Sequence, residues 1–308
     1  MSEIILHHYP ESTFSEKARL MLGLKKLAWK SVVTPMIMPK PDLTALTGGY
    51  RRAPVMQIGS DVYCDTALIA EVLDRRVPEH GLFPAGKRGL AESLAQWADA
   101  TLFMAAVGYF YQAPAAENRI AQMPPDQARA YSADRAALLR NPSFPSFEES
   151  AAVVGLYLDR LEDLLAAGQP FLLGESITIA DLSCYHPLWF LCAMPSSASM
   201  VGLRPGVAAW MRRVGQGGHG QMSPLTGEEA IAIARSTPAA GMAPGAIDLA
   251  GMNFGDQVVV MPTDYGLDPV QGALVALHAN EVAVRREDPR AGTVTVHFPR
   301  VGYQIRKA

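Results

Sequence analysis

Apolar and polar positions follow two rhythms along this chain, and the changes between them divide it. Ile4-Ile5-Leu6 is a short apolar run that reads as a strand, Tyr9 to Ser15 a turn, and Glu16 to Leu24 an amphipathic helix. In Arg51 to Gly59 a proline, Pro54, precedes a second short apolar strand. Proline cannot donate to a ladder, so it belongs at a strand start, an edge or a turn, with a cis bond as the special case. Asp65 to Leu73 reads as an amphipathic helix opened by two residues suited to N-terminal caps. Pro78 and Gly81-Leu82-Phe83-Pro84 then mark a linker.

Beyond the linker the spacing becomes helical. Trp97, Thr101, Met104, Gly108 and Tyr111 recur every three or four residues, as do Val154, Leu158, Leu161 and Leu165, and these stripes predict a packed bundle. A mixed segment from about Ile120 to Phe147 carries one short helical stretch between Met123-Pro124-Pro125 and Asn141-Pro142-Ser143. Thr178 and Asp181 have capping-box spacing before an apolar helix; Asp181 is given no chemistry, and its loss is expected to cost on the order of 0.5–2 kcal/mol.

After Gly215 to Gly220 the character changes again. Thr226 to Arg235 predicts one helix ended near Pro238, followed by a loop rich in Gly, Ala and Pro. Gln257–Met261, Ala273–Leu277, Glu281–Arg285 and Thr293–Phe298 then have the β-branched content of strands, with His278-Ala279-Asn280 as a tight turn. The expected organisation is an α/β unit over residues 1–80, an all-helical unit over 86–220 and a small all-β barrel or curled sheet over 223–308. The last is read as an appended module, so that a chain ending near residue 220 should keep its core. At its end Phe298 and Tyr303 are expected to fill the small barrel while Pro299 and Gly302 turn its corner.

Composition narrows the function classes. A chain of 308 residues suits two or three domains, and with 49% apolar residues and a net charge of −3 it has no footprint for nucleic acid or an acidic membrane. The start has no basic region followed by an apolar segment, and no run approaches the roughly 20 apolar residues of a membrane span, so the cytoplasm is the expected location. Cys64, Cys184 and Cys192 sit among apolar neighbours and read as packed thiols. His7, His8 and His219 lack a ligand spacing, and no metal is expected.

The chemistry concentrates at Ser12. A hydroxyl between a strand and a helix lies at a helix N-terminus, where unpaired N–H groups and the aligned peptide dipoles favour an anion such as a thiolate. In thioredoxin-like folds this corner carries Cys-x-x-Cys; here both corners, Ser12 and Ser15, are serines, so the thiol must arrive from outside. The strand, the Ser-Thr-Phe-Ser turn and the helix start, together with Pro54 and Asp65-Thr66 in that order, resemble the serine-type branch of the glutathione S-transferase family. The resemblance covers residues up to about 220 and stops there.

That resemblance implies a thioredoxin-like domain, a helical domain and glutathione as cosubstrate. It implies that Ser12 is the catalytic hydroxyl, that the backbone beside Pro54, chiefly that of Val55, pairs with the cysteinyl part, and that Asp65 and Thr66 hold the γ-glutamyl end. The family usually has Glu-Ser where this chain has Asp-Thr, an acid one methylene shorter. Tyr9 is the rival hydroxyl. Phe103, Met104, Val107 and Tyr111 either pack the core or line the electrophile's pocket, core being the simpler reading for any one of them, and Arg51 and Arg52 either steer carboxylates or are solvated surface residues. A small electrophile and a homodimeric partner are implied. A zeta-like isomerase is a further reading, although the Ser-Ser-Cys turn of that branch is missing; a non-catalytic protein whose β unit recognises a macromolecule is another.

Overall fold

A computed structural model describes residues 3–114, 120–140, 144–239 and 251–308, with Gly245 and Leu249. The first unit comprises β1 (Ile5–His8), α1 (Thr13–Leu24), β2 (Ala28–Val33), α2 (Pro41–Thr47), β3 (Val55–Ile58), β4 (Asp61–Cys64) and α3 (Thr66–Arg76). β1 pairs in parallel with β2 and antiparallel with β3, which pairs antiparallel with β4, giving the thioredoxin-like order. His7 and His8 belong to its interior. They meet Gln57 and Ser31 at 2.8 Å each. Burial, aided at His8 by the charge of Arg19, pushes both imidazoles down to about 4 and keeps them neutral.

The helical unit follows: α4 (Arg88–Trp97), a π-helical turn (Ala98–Leu102), α5 (Phe103–Gln112), α6 (Pro125–Leu139), α7 (Phe147–Leu165), α8 (Ile179–Leu191), α9 (Pro195–Gly202) and α10 (Pro205–Gly215). The stripe Val154, Leu158, Leu161 and Leu165 is buried as expected. The stripe through Trp97 is not the core face. The buried line is Ala91, Ala95, Ala98, Leu102, Ala106 and Tyr109, while Thr101 is exposed and Trp97, Met104 and Tyr111 are half-buried. The π turn inserts an extra residue, which rotates every later side chain by about 100° and defeats a uniform 3.6-residue count. Asn141-Pro142-Ser143 and most of the Gly/Ala/Pro loop lie outside the described residues.

Asp181 does more than cap. Fully buried, it accepts from the Thr178 N–H and hydroxyl and from the Leu172 N–H at 2.8 Å, and from the Trp210 indole at 2.9 Å. Its removal strands these donors, each costing about 1–3 kcal/mol, so the loss exceeds that of a cap alone.

β5 (Gln221–Pro224) adds to β2 in parallel, and α11 (Gly227–Ser236), capped by a Thr226/Glu229 box, packs near α2. β6 (Gln257–Pro262), β7 (Val270–Leu277), β8 (Glu281–Asp288), β9 (Gly292–Pro299) and β10 (Tyr303–Lys307) form the β unit. The order is β10-β6-β7-β8-β9, and β9 pairs in parallel with β4, so one ten-stranded sheet runs through both units.

Only Arg300, Val301 and Gly302 join β9 to β10. Four strand spacings would separate them by about 19 Å in a flat sheet, whereas the linking chain reaches about 14 Å at most. The sheet therefore curls, as expected of a barrel-like unit. Phe298 is fully buried within it, and the Tyr303 ring packs against the same cluster, 5.4 Å from the Phe298 ring, while its hydroxyl reaches back to the first unit.

The β unit shares a core with that first unit. Leu43, Leu46, Tyr50, Val55, Val62 and Cys64 pack with Val258, Val260, Leu274, Val284, Val296 and Phe298. At the seam His297 of β9 lies 2.8 Å from Glu281 and 3.3 Å from Asp61, and stacks on Tyr63 at 4.4 Å between centroids. Burial pushes the His297 imidazole down, but the bonds and charges of Asp61 and Glu281 outweigh it and the net shift is upward. For Glu281 burial pushes upward, but the His297 bond together with the charges of His297, Arg75 and His278 outweighs it, so the net shift is downward.

Two expectations follow. Removing residues 221–308 uncovers the shared core, at about 1.5–3 kcal/mol for each large apolar side chain, against a whole-protein margin of roughly 5–15 kcal/mol. A chain ending at residue 220 should be insoluble or should melt without cooperativity by circular dichroism; a soluble fragment melting near the full-length temperature would contradict the shared core. Second, the raised His297 contributes stability that is fully present below its ordinary 6.5 and is lost as pH rises through its higher folded value. The lowered Glu281 contributes above its ordinary 4.5 and loses it in acid. Melting temperature should fall above the window between these values, and His297→Gln should flatten that alkaline fall; an unchanged profile in the variant would contradict the seam's role.

Candidate active site

Ser12 is the N-cap of α1, with its Oγ accepting the Ser15 N–H at 3.2 Å and its carbonyl accepting the Glu16 N–H at 3.0 Å. Of the first-turn donors that a helix cannot use internally, those of Thr13 and Phe14 remain. Both residues wall the same cavity as Ser12. The phenol of Tyr9 stands beside Ser12; burial pushes it up, and Arg135 and the Ser12 hydroxyl pull it part of the way back.

The Ala53–Pro54 bond is cis, and Pro54 opens β3. Val55 is fully buried with its side chain in the shared core, so that of this pair only Pro54 reaches a cavity wall. Asp65 caps α3 with φ at +77°, a conformation costly for a residue with a Cβ. Its Oδ1 accepts the Ala67 N–H at 2.9 Å. The Tyr303 hydroxyl of β10 lies 3.1 Å from both Asp65 Oδ2 and the Tyr50 hydroxyl. A carboxylate only accepts, so the Tyr303 proton goes to Asp65 and Tyr50 supplies the other bond. Thr66 is buried at the helix start.

These residues wall two adjoining cavities. One, of about 440 Å³, has Pro54, Asp65 and Thr66 on one side, Gln96 and Asp99 of the helical unit on another, and Tyr265, Asn280 and Val301 of the β unit on a third. The other, of about 370 Å³, holds Ser12, Tyr9, Phe103, Val107 and Tyr111. Met104 is not on its wall. Phe14, Arg52, Ala53 and Tyr265 belong to both and stand between them. The sequence thus places Ser12 on one cavity and Pro54, Asp65 and Thr66 on its neighbour.

Arg51 and Arg52 are neither solvated nor free. Arg51 pairs with Asp134, and Arg52 pairs with Asp264, reaches the Tyr265 carbonyl and lies 3.8 Å from the Tyr265 ring centroid. The loop between β6 and β7 that carries these groups is fixed to α6 by the Gly266 N–H on the Leu138 carbonyl at 2.7 Å. Gly266 has φ at +52°, and a Cβ there would approach Leu138 to 2.9 Å, so the contact requires glycine.

A buried trio anchors α1 to the helical unit. Lys17, with no exposed side chain, donates to Asp99 at 2.6 Å, and His186 meets the other Asp99 oxygen at 2.9 Å. Burial pushes the Asp99 carboxyl up, but Lys17 and His186 hold it lower than usual. Neither this trio nor Tyr303, Asp264 and Tyr265 carries a local sequence signal; their partners lie far away in the chain. Burial pushes the thiols of Cys64, Cys184 and Cys192 up, and all three are unpaired. Among the described residues no helix is long and apolar enough to cross a membrane.

A thioredoxin-like sheet, a cis-proline loop and a helix-capping hydroxyl beside an all-helical unit define the glutathione-transferase class of architecture. Sequence profiles described as "Glutathione S-transferase, N-terminal domain" and "Glutathione S-transferase, C-terminal domain" match residues 6–81 and 145–213. A solved GST-like protein from Pseudomonas syringae is 41% identical over 100% of both chains, with a TM-score of 0.82. The chain belongs to the glutathione S-transferase family. Glutathione S-transferase III in its apo form is 20% identical, with a TM-score of 0.53, covering 70% of this chain and 92% of its own. The β-etherase LigF from a Sphingobium strain is also 20% identical, with a TM-score of 0.52, covering 70% and 95%. These two share the fold. No curated protein matches the chain.

Proposed function

We propose that the protein is a glutathione-dependent transferase, in which the first cavity binds the peptide and Ser12 receives its sulfur at the border of the second. The observation that supports this most is the convergence of Ser12, Pro54, Asp65 and Thr66 on two adjoining cavities. About 440 Å³ is ample for a tripeptide. Thr66 and the start of α3 suit the γ-glutamyl carboxylate, and Asp65 suits its ammonium. The backbone beside Pro54 and Val55 takes the cysteinyl part.

A free cysteine-type thiol has a pKa near ~8.5 and is mostly protonated at neutral pH. One oxygen lone pair of Ser12 already accepts the Ser15 N–H, which leaves the hydroxyl proton to be donated to sulfur. With the first-turn N–H groups of α1, that bond favours the thiolate; a shift of two units corresponds to about 2.7 kcal/mol. The thiol proton leaves to solvent, the sulfur lone pair forms a C–S bond at the electrophilic carbon, and the leaving group departs with its electron pair. The shorter acid, Asp65, is compensated by Tyr303, whose hydroxyl fixes the carboxylate. Cytoplasmic location goes with this reading, and three free cysteines suit a reducing compartment. So does a homodimer, since α4 and α7 expose Leu90, Leu156 and Leu164. Light scattering should give twice the chain mass, and a monomer at micromolar concentration would exclude the dimer.

Bound glutathione should show thiolate absorbance in the ultraviolet with an apparent pKa about two units below the free peptide. Ser12→Ala should return the titration toward the free value while changing affinity only a few fold by calorimetry. Tyr303→Phe should do the reverse, weakening affinity with little effect on the sulfur. No binding at millimolar glutathione by folded protein would remove the transferase reading, and a titration moved by Tyr9→Phe but not by Ser12→Ala would transfer the role to Tyr9.

A further inference from the structure

The second cavity has an uneven wall. Its body is aromatic, with Phe103, Phe110, Tyr111 and Phe190, while another part of its wall is cationic. There Lys40, Arg51 and Arg135 face a single shared carboxylate, Asp134. Arg135 donates to Asp134 at 2.8 Å and to the Met36 carbonyl at 2.5 Å, and its Nε is buried with no partner. Lys40 is 3% exposed, and its ammonium donates to the Arg51 carbonyl at 3.1 Å, with no carboxylate in hydrogen-bond reach among the described residues. Glu11, the carboxylate on the cavity wall itself, is solvent-exposed. Three cations and one buried anion leave an excess of positive charge on the wall of a largely apolar cavity, where screening by water is weaker than in bulk.

Resting on the transferase reading of the site, we propose that its electrophile is an aromatic anion: an aryl ring carrying a carboxylate or similar acidic group, held by Lys40 and Arg135, with the reactive ring carbon turned toward Ser12. A purely apolar ring would leave the cations unmatched, and an inorganic anion would leave the aromatic wall unused. Tyr9 joins the two halves, because its ring lies 5.5 Å from the Lys40 ammonium and its phenol stands beside Ser12 and Arg135. In such a substrate the glutathione thiolate forms the C–S bond at a ring carbon bearing a leaving group. The bond to that group breaks, the group leaves with its electron pair, and the acidic group keeps its charge throughout.

The local electrostatics agree. Burial and then the charge of Arg135 push the Lys40 ammonium down to about 8, with Arg51 adding to this and Asp134 opposing it. A bound anion would reverse that push, so binding should weaken as pH rises past this value and Lys40 loses its proton.

The test uses unreactive isosteres and full-length protein. Calorimetry at moderate salt would compare para-nitrobenzoate with para-nitrobenzamide, each with and without glutathione, with glutathione titrated separately. The expected result is at least a fivefold tighter binding of the carboxylate at pH 7, reduced toward parity above pH 9 and by Arg135→Gln. Anything under fivefold at pH 7 overturns the proposal, as does a preference that survives both changes. Because the benzoate needs no reaction, its failure beside normal glutathione binding would reject the anionic substrate and leave the transferase reading standing. A failure of glutathione alone would reject that reading instead.

Discussion

Asp61, Val62 and Tyr63 of β4 pair in parallel with Thr295, Val296 and His297 of β9, and the placement of the β unit's groups over the site rests on this short ladder. It closes the edge that a four-stranded thioredoxin-like sheet would otherwise present to solvent, a place where unpaired N–H and C=O groups invite association. The clasp of His297 between Glu281 and Asp61 adds charge to the hydrogen bonds. Because the sheet curls beyond β9, the loops at one end of the β unit face the start of α3 and the cis-proline loop. A free module on a tether would have no such fixed aim.

From that aim follows the composition of the site. β10 delivers Tyr303 to Asp65, and the loop before β7 delivers Asp264 and Tyr265 to Arg52. The relatives that share only the fold cover 70% of this chain, whereas the Pseudomonas syringae protein covers all of it. The β unit thus walls the candidate site, with Tyr265 on both cavities. Ser12 and the helix start line one of them, and Asp65 with Thr66 the other.

How much of this was legible beforehand depended on the range of the forces involved. Ser12, Pro54, Asp65 and Thr66 were readable because caps and proline positions are local: each is fixed by residues within a turn of itself. The stripe through Val154 and Leu165 was readable for the same reason. The stripe through Trp97 failed where the π turn at Ala98 to Leu102 broke the period, and neither Gly nor Pro marks that place. β5 and β10 escaped because each is held by a partner far away in the chain, β2 and β6 respectively. The sequence leaves Arg51 and Arg52 open between steering carboxylates and lying solvated at the surface, because their partners Asp134 and Asp264 come from other units. Asp181 looked like a cap because the Trp210 indole that also binds it lies 29 residues on.

The proposed reaction requires a single peptide thiol to span from Asp65 and Thr66 to the Ser12 hydroxyl across the Ala53–Pro54 loop. A crystal structure with glutathione bound tests it most directly. The γ-glutamyl carboxylate is expected at the start of α3, the ammonium on Asp65, and the sulfur within about 3.5 Å of Ser12 Oγ, a charge-assisted contact. A peptide seated elsewhere would contradict it, and so would one with its sulfur turned away from Ser12 toward Tyr265 or Lys17.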